Sequence, residues 1–168
     1  MRDKLRRWLR EALVLLLIGG VVMFAVDRWR APALPQTFTS TPLHTIDGNT
    51  VDLTAMSRER PLLVYVWATW CAVCRFTTPS VASMAAGGDN VLTVALRSGD
   101  DATLTRWLAK KGYAMPVVND ADGQLARQWQ VQVTPTLVVI ADGKVASVTT
   151  GWTSGLGMRL RLWWAGVT

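Results

Sequence analysis

The stretch WATWCAVCRFTTP (residues 67–79) holds both cysteines of the 168-residue chain. Upstream, PLLVYVWATW (61–70) is a continuous β-branched and aromatic run, the pattern of a strand buried on both faces. Downstream, CAVCRFTTPSVASMAA (71–86) reads as a helix that Gly87-Gly88 ends. Cys71 and Cys74 therefore sit where a buried strand hands over to a helix. The sulfur of Cys71 would lie near backbone N–H groups that have no intrahelical partner, at the positive end of the helix dipole. Both influences favour thiolate over thiol.

Four chemistries compete for a lone Cys-x-x-Cys. A structural zinc site needs four ligands, and this chain offers only Cys71, Cys74 and the single histidine, His44. A structural disulfide is compatible with an oxidising compartment, but closing so short a loop removes little unfolded-state entropy. Copper(I) suits two soft thiolates. Its six methionines, at 1, 23, 56, 84, 115 and 158, are scattered and add no copper cluster. Dithiol–disulfide exchange uses the placement best: Cys71 is the attacking thiol, and Cys74, one turn along, resolves the mixed disulfide. His44 reads as a surface residue beside a hairpin.

Working outward, Leu43–Leu53 carries an Asp47-Gly48-Asn49 turn between short alternating segments, a hairpin signal. NVLTVALRS (90–98) is a second buried strand, DDATLTRWLAKKG (100–112) an amphipathic helix stopped by Gly112, MPVVND (115–120) a short strand and GQLARQWQV (123–131) a short helix. TLVVIADGKVASVTTGW (136–152) is a hairpin turned at Asp142-Gly143, and GLGMRLRLWWAG (155–166) a closing helix with Leu156, Leu160, Trp163 and Trp164 on one side. Trp67, Trp107, Trp129, Trp163 and Trp164 read as core, and Trp70 as cover for the reactive pair. Alternating strands and helices that end in a hairpin give a mixed α/β sandwich. Thr134-Pro135, just before a strand, is a candidate cis peptide whose backbone could pair with an extended substrate; an ordinary trans proline at a strand start is the other reading. No glycine cluster forms a phosphate loop or dinucleotide fingerprint, so no cofactor is expected.

The N-terminus reads separately. Residues 1–30 hold seven Lys/Arg against three Asp/Glu, a net of +4, and the remaining 138 hold eleven against nine, only +2. The globular part has no basic stripe to neutralise phosphates, which excludes nucleic acid as a partner. ALVLLLIGGVVMFAV (12–26) is uncharged, and Trp8 and Trp29 flank it at a spacing suited to two interfacial belts. We expect a transmembrane anchor over residues 1–30, with its basic lead in the cytoplasm and the rest outside. A cleaved signal peptide is the competing reading, but the nearby small-x-small site, Ala31-Pro32-Ala33, is cut off from the apolar run by Asp27–Arg30. Residues 31–42, APALPQTFTSTP, read as an extended Pro-rich spacer, and residues 43–168 as the globular domain.

W-C-x-x-C, Pro79 and T-P-T-L-V-V-I together resemble the thioredoxin superfamily, and more narrowly its membrane-anchored TlpA/ResA-like branch, over roughly residues 34–168. A narrower resemblance is to the tethered thioredoxin-like proteins of bacterial copper-sensitivity-suppressor operons. The resemblance implies a thioredoxin-like α/β fold, a central mixed sheet flanked by helices with an N-terminal hairpin, preceded by one transmembrane helix. It implies a redox-active disulfide between Cys71 and Cys74, a cis Pro135, and substrate positioning by Thr134, Pro135 and Trp70. The implied function is a periplasmic, inner-membrane-tethered protein disulfide oxidoreductase. The rival is a copper(I)-binding module on the same thiols. Its partners would be protein disulfides and a membrane electron donor of the thiol-transporter type. Two carboxylates that relatives place near the pair are replaced by Tyr65 and Thr77. The intervening Ala72-Val73 lacks the histidine that would support an oxidase, which favours the reducing direction.

Overall fold

A computed structural model describes residues 2–30, 34–40 and 42–167. The chain divides into two compact units, Met1–Ala31 and Pro32–Thr168.

The first unit is one continuous helix, α1 (Arg2–Arg30), whose described side chains are almost all exposed, including Trp8, Leu13, Leu15, Ile18 and Val21. Among the described residues no helix is long and apolar enough to cross a membrane. The transmembrane helix expected from the sequence is therefore not found. The physical reason lies in the charges: Glu11 and Asp27 bound an uncharged run of fifteen residues. At 1.5 Å per residue that run covers about 22 Å, against a hydrocarbon core of about 30 Å. Ala31-Pro32-Ala33 and the side chains of Arg28 and Trp29 lie outside the described residues.

In the second unit, β3 (Leu62–Trp67) is buried along its whole length, because it is the middle of a five-stranded sheet. Leu63, Tyr65 and Trp67 pack into one apolar layer, and Leu62, Val64 and Val66 into the other. That alternation is why its sequence reads as an unbroken apolar run. β4 (Val91–Leu96) pairs parallel to β3 and β5 (Val117–Asp120) parallel to β4. β6 (Thr136–Ala141) pairs antiparallel to β3 on its other side, and β7 (Lys144–Thr150) antiparallel to β6, giving the order β5-β4-β3-β6-β7. The β6–β7 turn places Asp142 and Gly143 at φ 51° and 73°, the left-handed pair that a two-residue hairpin requires. A small hairpin, β1 (Leu43–His44) with β2 (Thr50–Val51), turns at Asp47-Gly48 and docks on the β5 edge through a Thr45–Val118 bridge.

Helices cover both faces. α3 (Cys74–Ala86), α4 (Asp101–Lys111) and α6 (Gly155–Val167) bury Val81, Met84, Leu104, Leu108, Met158 and Ala165 in the layer with Tyr65 and Trp67. α4 begins on Asp100, whose carboxylate accepts the Thr103 N–H at 2.7 Å, and ends on left-handed Gly112. α2 (Leu53–Glu59) and α5 (Gln124–Gln128) lie on the other face with Trp129.

Three expectations are corrected. The active-site helix begins at Cys74, not Cys71, with residues 71–73 forming a turn before it. Trp163 and Trp164 are exposed, with Leu156 and Leu160, because α6 buries its opposite face through Met158 and Ala165. The segment read as an extended spacer contains a 3-10 turn (Gln36–Thr39) whose Phe38 is fully buried, 4.5 Å from the Trp129 ring. Thr39 fixes the segment further: its hydroxyl donates to the Gly143 carbonyl at 3.2 Å, and its carbonyl accepts from Thr54 Oγ1 at 3.2 Å.

A Phe38→Ala substitution is expected to destabilise the domain by about 3 kcal/mol in urea unfolding, the cost of emptying a core aromatic site. A change below about 0.5 kcal/mol would mean that residues 34–40 are only a tether.

Candidate active site

β3 ends at Trp67, and the chain then crosses the upper edge of the sheet through residues 68–73. Hydrogen bonds hold this crossing. The Cys71 N–H donates to the Ala68 carbonyl at 3.2 Å, and the Thr69 N–H to Ser98 Oγ at 3.0 Å. Trp70 Nε1 donates to the Arg97 carbonyl at 3.0 Å, which fixes the indole while leaving 61% of the residue exposed. Arg75 Nε closes the turn from the other side by donating to the Ala72 carbonyl at 3.1 Å.

Cys71 and Cys74 form a disulfide, with Cα atoms 5.3 Å apart. The Cys74 N–H donates to Cys71 Sγ at 3.2 Å. Val73, the N-cap of α3, offers no side-chain acceptor. The sulfur of Cys71 thus takes the part that a serine or aspartate oxygen plays at other helix starts. The two cysteines differ in access: Cys71 retains 9% exposure and Cys74 1%.

The second wall comes from the loop before β6. The Thr134–Pro135 peptide is cis, and the Thr134 carbonyl oxygen lies 3.5 Å from Cys71 Sγ. Thr136 Oγ1 donates to the Val133 carbonyl at 2.6 Å, and the Gly151 N–H to the Pro135 carbonyl at 2.8 Å, so both sides of the cis bond are tied down. The fold therefore brings Thr134, 63 residues away in sequence and joined to Pro135 by the cis bond, against Cys71. Trp70 stands beside the pair. Sequence reasoning missed Val73, Phe76 and Val133, which are also exposed, at 40%, 67% and 48%. The available signal was that these apolar residues fall outside the buried periodicities of α3 and β6.

In the same apolar layer as the pair, Tyr65 is fully buried, stacked parallel to the Trp67 ring and hydrogen-bonded to Thr78 Oγ1 at 2.9 Å. Burial pushes its phenol well above the ordinary tyrosine range, outweighing the Thr78 hydrogen bond that acts the other way. Tyr65 is thus a neutral group in the layer that holds the pair and supplies no negative charge there. His44 lies on the β1–β2 hairpin, where its Nδ1 pairs with Thr50 Oγ1 at 3.1 Å. Among the described residues no group of three or more His, Cys, Asp or Glu is placed to hold a metal ion.

A strand-to-helix Cys-x-x-Cys facing a cis-proline loop, on this sheet order, defines a thioredoxin-like disulfide oxidoreductase. The Redoxin family profile matches residues 31–154, and the chain belongs to that family. It is 40% identical over 162 residues to the thioredoxin-like protein of Haemophilus influenzae, spanning 96% of this chain and 97% of that one. The thiol:disulfide interchange protein DsbE of Pseudomonas fluorescens biotype C is 29% identical over 150 residues, 84% of this chain and 83% of that one. The crystal structure of the pneumococcal exposed lipoprotein thioredoxin Etrx1 from Streptococcus pneumoniae matches with a TM-score of 0.62 at 26% identity. It covers 73% of this chain and 96% of that one.

The raised Tyr65 pKa has a signed consequence. The folded state binds the phenolic proton more tightly than the unfolded state, so the stabilisation is complete below about pH 10 and is lost as pH rises beyond it. In a Tyr113→Phe variant, tyrosinate absorbance is expected to appear only with alkaline unfolding. A reversible titration near pH 10 in the folded protein would contradict a sealed Tyr65.

Proposed function

We propose that this protein is a membrane-tethered protein disulfide reductase working outside the cytoplasm. The observation that carries the reading is the seat of Cys71 Sγ, between the Cys74 N–H and the Thr134 carbonyl, at the more exposed end of the disulfide. In the dithiol form, the Cys71 thiolate attacks one sulfur of a substrate disulfide. That bond breaks, a mixed disulfide forms, and the first substrate thiolate leaves. Cys74 then attacks Cys71 Sγ and displaces the second substrate thiolate, closing the Cys71–Cys74 disulfide. Two electrons have moved to the substrate.

The Cys74 N–H serves this sequence as a donor to charge. A hydrogen bond to a charged acceptor contributes about 1.5–3 kcal/mol, against about 0.5–1.5 for a neutral pair, so this N–H favours the thiolate. Thr134 and Pro135 orient an extended substrate backbone across the sulfur, and Trp70 covers its flank. Fresh electrons come from an external dithiol, for which a membrane thiol transporter is the class that fits a tethered domain. The uncharged run of residues 12–26 is about 8 Å short of a hydrocarbon core on its own. The tether we propose therefore needs its flanks to snorkel outward. The exposed apolar side chains of that run and the basic lead support it, with the N-terminus in the cytoplasm. The DsbE relative, a thiol:disulfide interchange protein, supports the exchange chemistry.

Insulin reduction by the full chain with dithiothreitol is expected, and loss of at least a hundredfold in both Cys71→Ser and Cys74→Ser. Retained turnover in either variant would contradict the roles given. Tight copper(I) binding without any exchange would favour the metal-binding alternative. The tether is read in the same preparations, as retention in the membrane pellet after alkaline carbonate washing; release to the supernatant would contradict it.

A further inference from the structure

Thr77 is fully buried, and its hydroxyl has no hydrogen-bond partner. A buried hydroxyl left unpaired costs about 1–3 kcal/mol, and native structures seldom carry that cost without a reason. The reason lies one turn away. Thr77 follows Cys74 by three residues in α3, a spacing that puts Cβ atoms about 5–6 Å apart on one helix face. Helical side chains lean toward the N-terminus, so Thr77 leans toward Cys74. Cys74 is buried as well, and among the described residues no hydrogen bond reaches its sulfur. In the disulfide form the bond to Cys71 fixes the direction of that sulfur, and the Thr77 hydroxyl makes no hydrogen bond to it. Breaking the Sγ–Sγ bond frees the Cys74 side chain to turn about its χ1 toward the Thr77 donor one turn along the helix.

We propose that Thr77 is a positioning residue that distinguishes the two redox states: its hydroxyl donates to the Cys74 sulfur in the dithiol form and is orphaned in the disulfide form. This rests on the exchange chemistry proposed above. An external dithiol supplies two electrons and two protons. The Sγ–Sγ bond breaks, Cys71 and Cys74 each become thiols, and the external dithiol closes to its own disulfide. Because the hydroxyl is paired only after reduction, it stabilises the reduced form relative to the oxidised one. It also holds the Cys74 sulfur in place for its later attack on Cys71.

The test is the equilibrium constant for reduction of the full chain by dithiothreitol. Thr77→Val keeps the branched shape and removes the donor. Its constant is expected to fall between threefold and tenfold, tenfold being about 30 mV for this two-electron couple. Thr77→Ser keeps the donor and is expected to stay within twofold of the unsubstituted protein. A Val variant within twofold of the parent overturns the proposal. So does a Ser variant shifted as far as the Val variant, since packing alone would then explain both. If the Val variant does not fold, Thr77→Ala against Thr77→Ser gives the same comparison. A parent protein that equilibrates with no dithiol sinks the exchange reading itself; a parent that equilibrates with no dependence on the Thr77 hydroxyl sinks this inference alone.

Discussion

The structure turns on one hydrogen bond at the joint between strand and helix, from the Cys74 N–H to the sulfur of Cys71. The first N–H groups of a helix have no partner within it, and here the N-cap side chain, Val73, cannot supply one. The sulfur fills the gap. A helix start that would otherwise be incompletely capped becomes a site that prefers negative charge on one particular atom. The sheet and the cis-proline loop hold that atom in place. β3 is locked by burial on both faces and by neighbours on both edges, so the chain leaves the sheet at a fixed place. The cis Thr134–Pro135 loop enters the adjacent strand and closes the other side.

The two cysteines share a disulfide and little else. Cys71 is the more exposed sulfur, and Trp70, Val73, Phe76 and Val133, close to it or to Thr134 along the chain, are exposed apolar residues. Cys74 lies beneath, in the layer that contains Tyr65, Trp67, Val81 and Met84. Burial seals the inner sulfur from solution almost completely and leaves the outer one more accessible, 1% against 9% exposed. Tyr65, kept neutral by burial, adds no phenolate charge to that layer.

Much of this was legible in the sequence, because its signals are local. Six consecutive buried residues in β3, the Asp142-Gly143 turn and the Gly112 stop each declare themselves within a few positions. The contact between Thr134 and Cys71 spans 63 residues, and only a family resemblance brought the two together. Elsewhere local pattern failed for identifiable reasons. α2 has seven residues, two of them buried, too few to show a helical period, although Asp52 caps it by accepting from Ala55. α6 is apolar on two faces, so its spacing could not tell that Met158 faces inward while Trp163 and Trp164 face out. Phe38 sits among prolines and threonines that read as a tether, and only its distant partner Trp129 explains its burial.

The division of labour between the sulfurs can be read directly by mass spectrometry. The reduced protein is mixed with a peptide disulfide, quenched with acid within milliseconds and digested, and the cysteine carrying the peptide is identified. The peptide is expected on Cys71. A mixed disulfide found mainly on Cys74 would contradict the assignment of the outer sulfur as the point of entry.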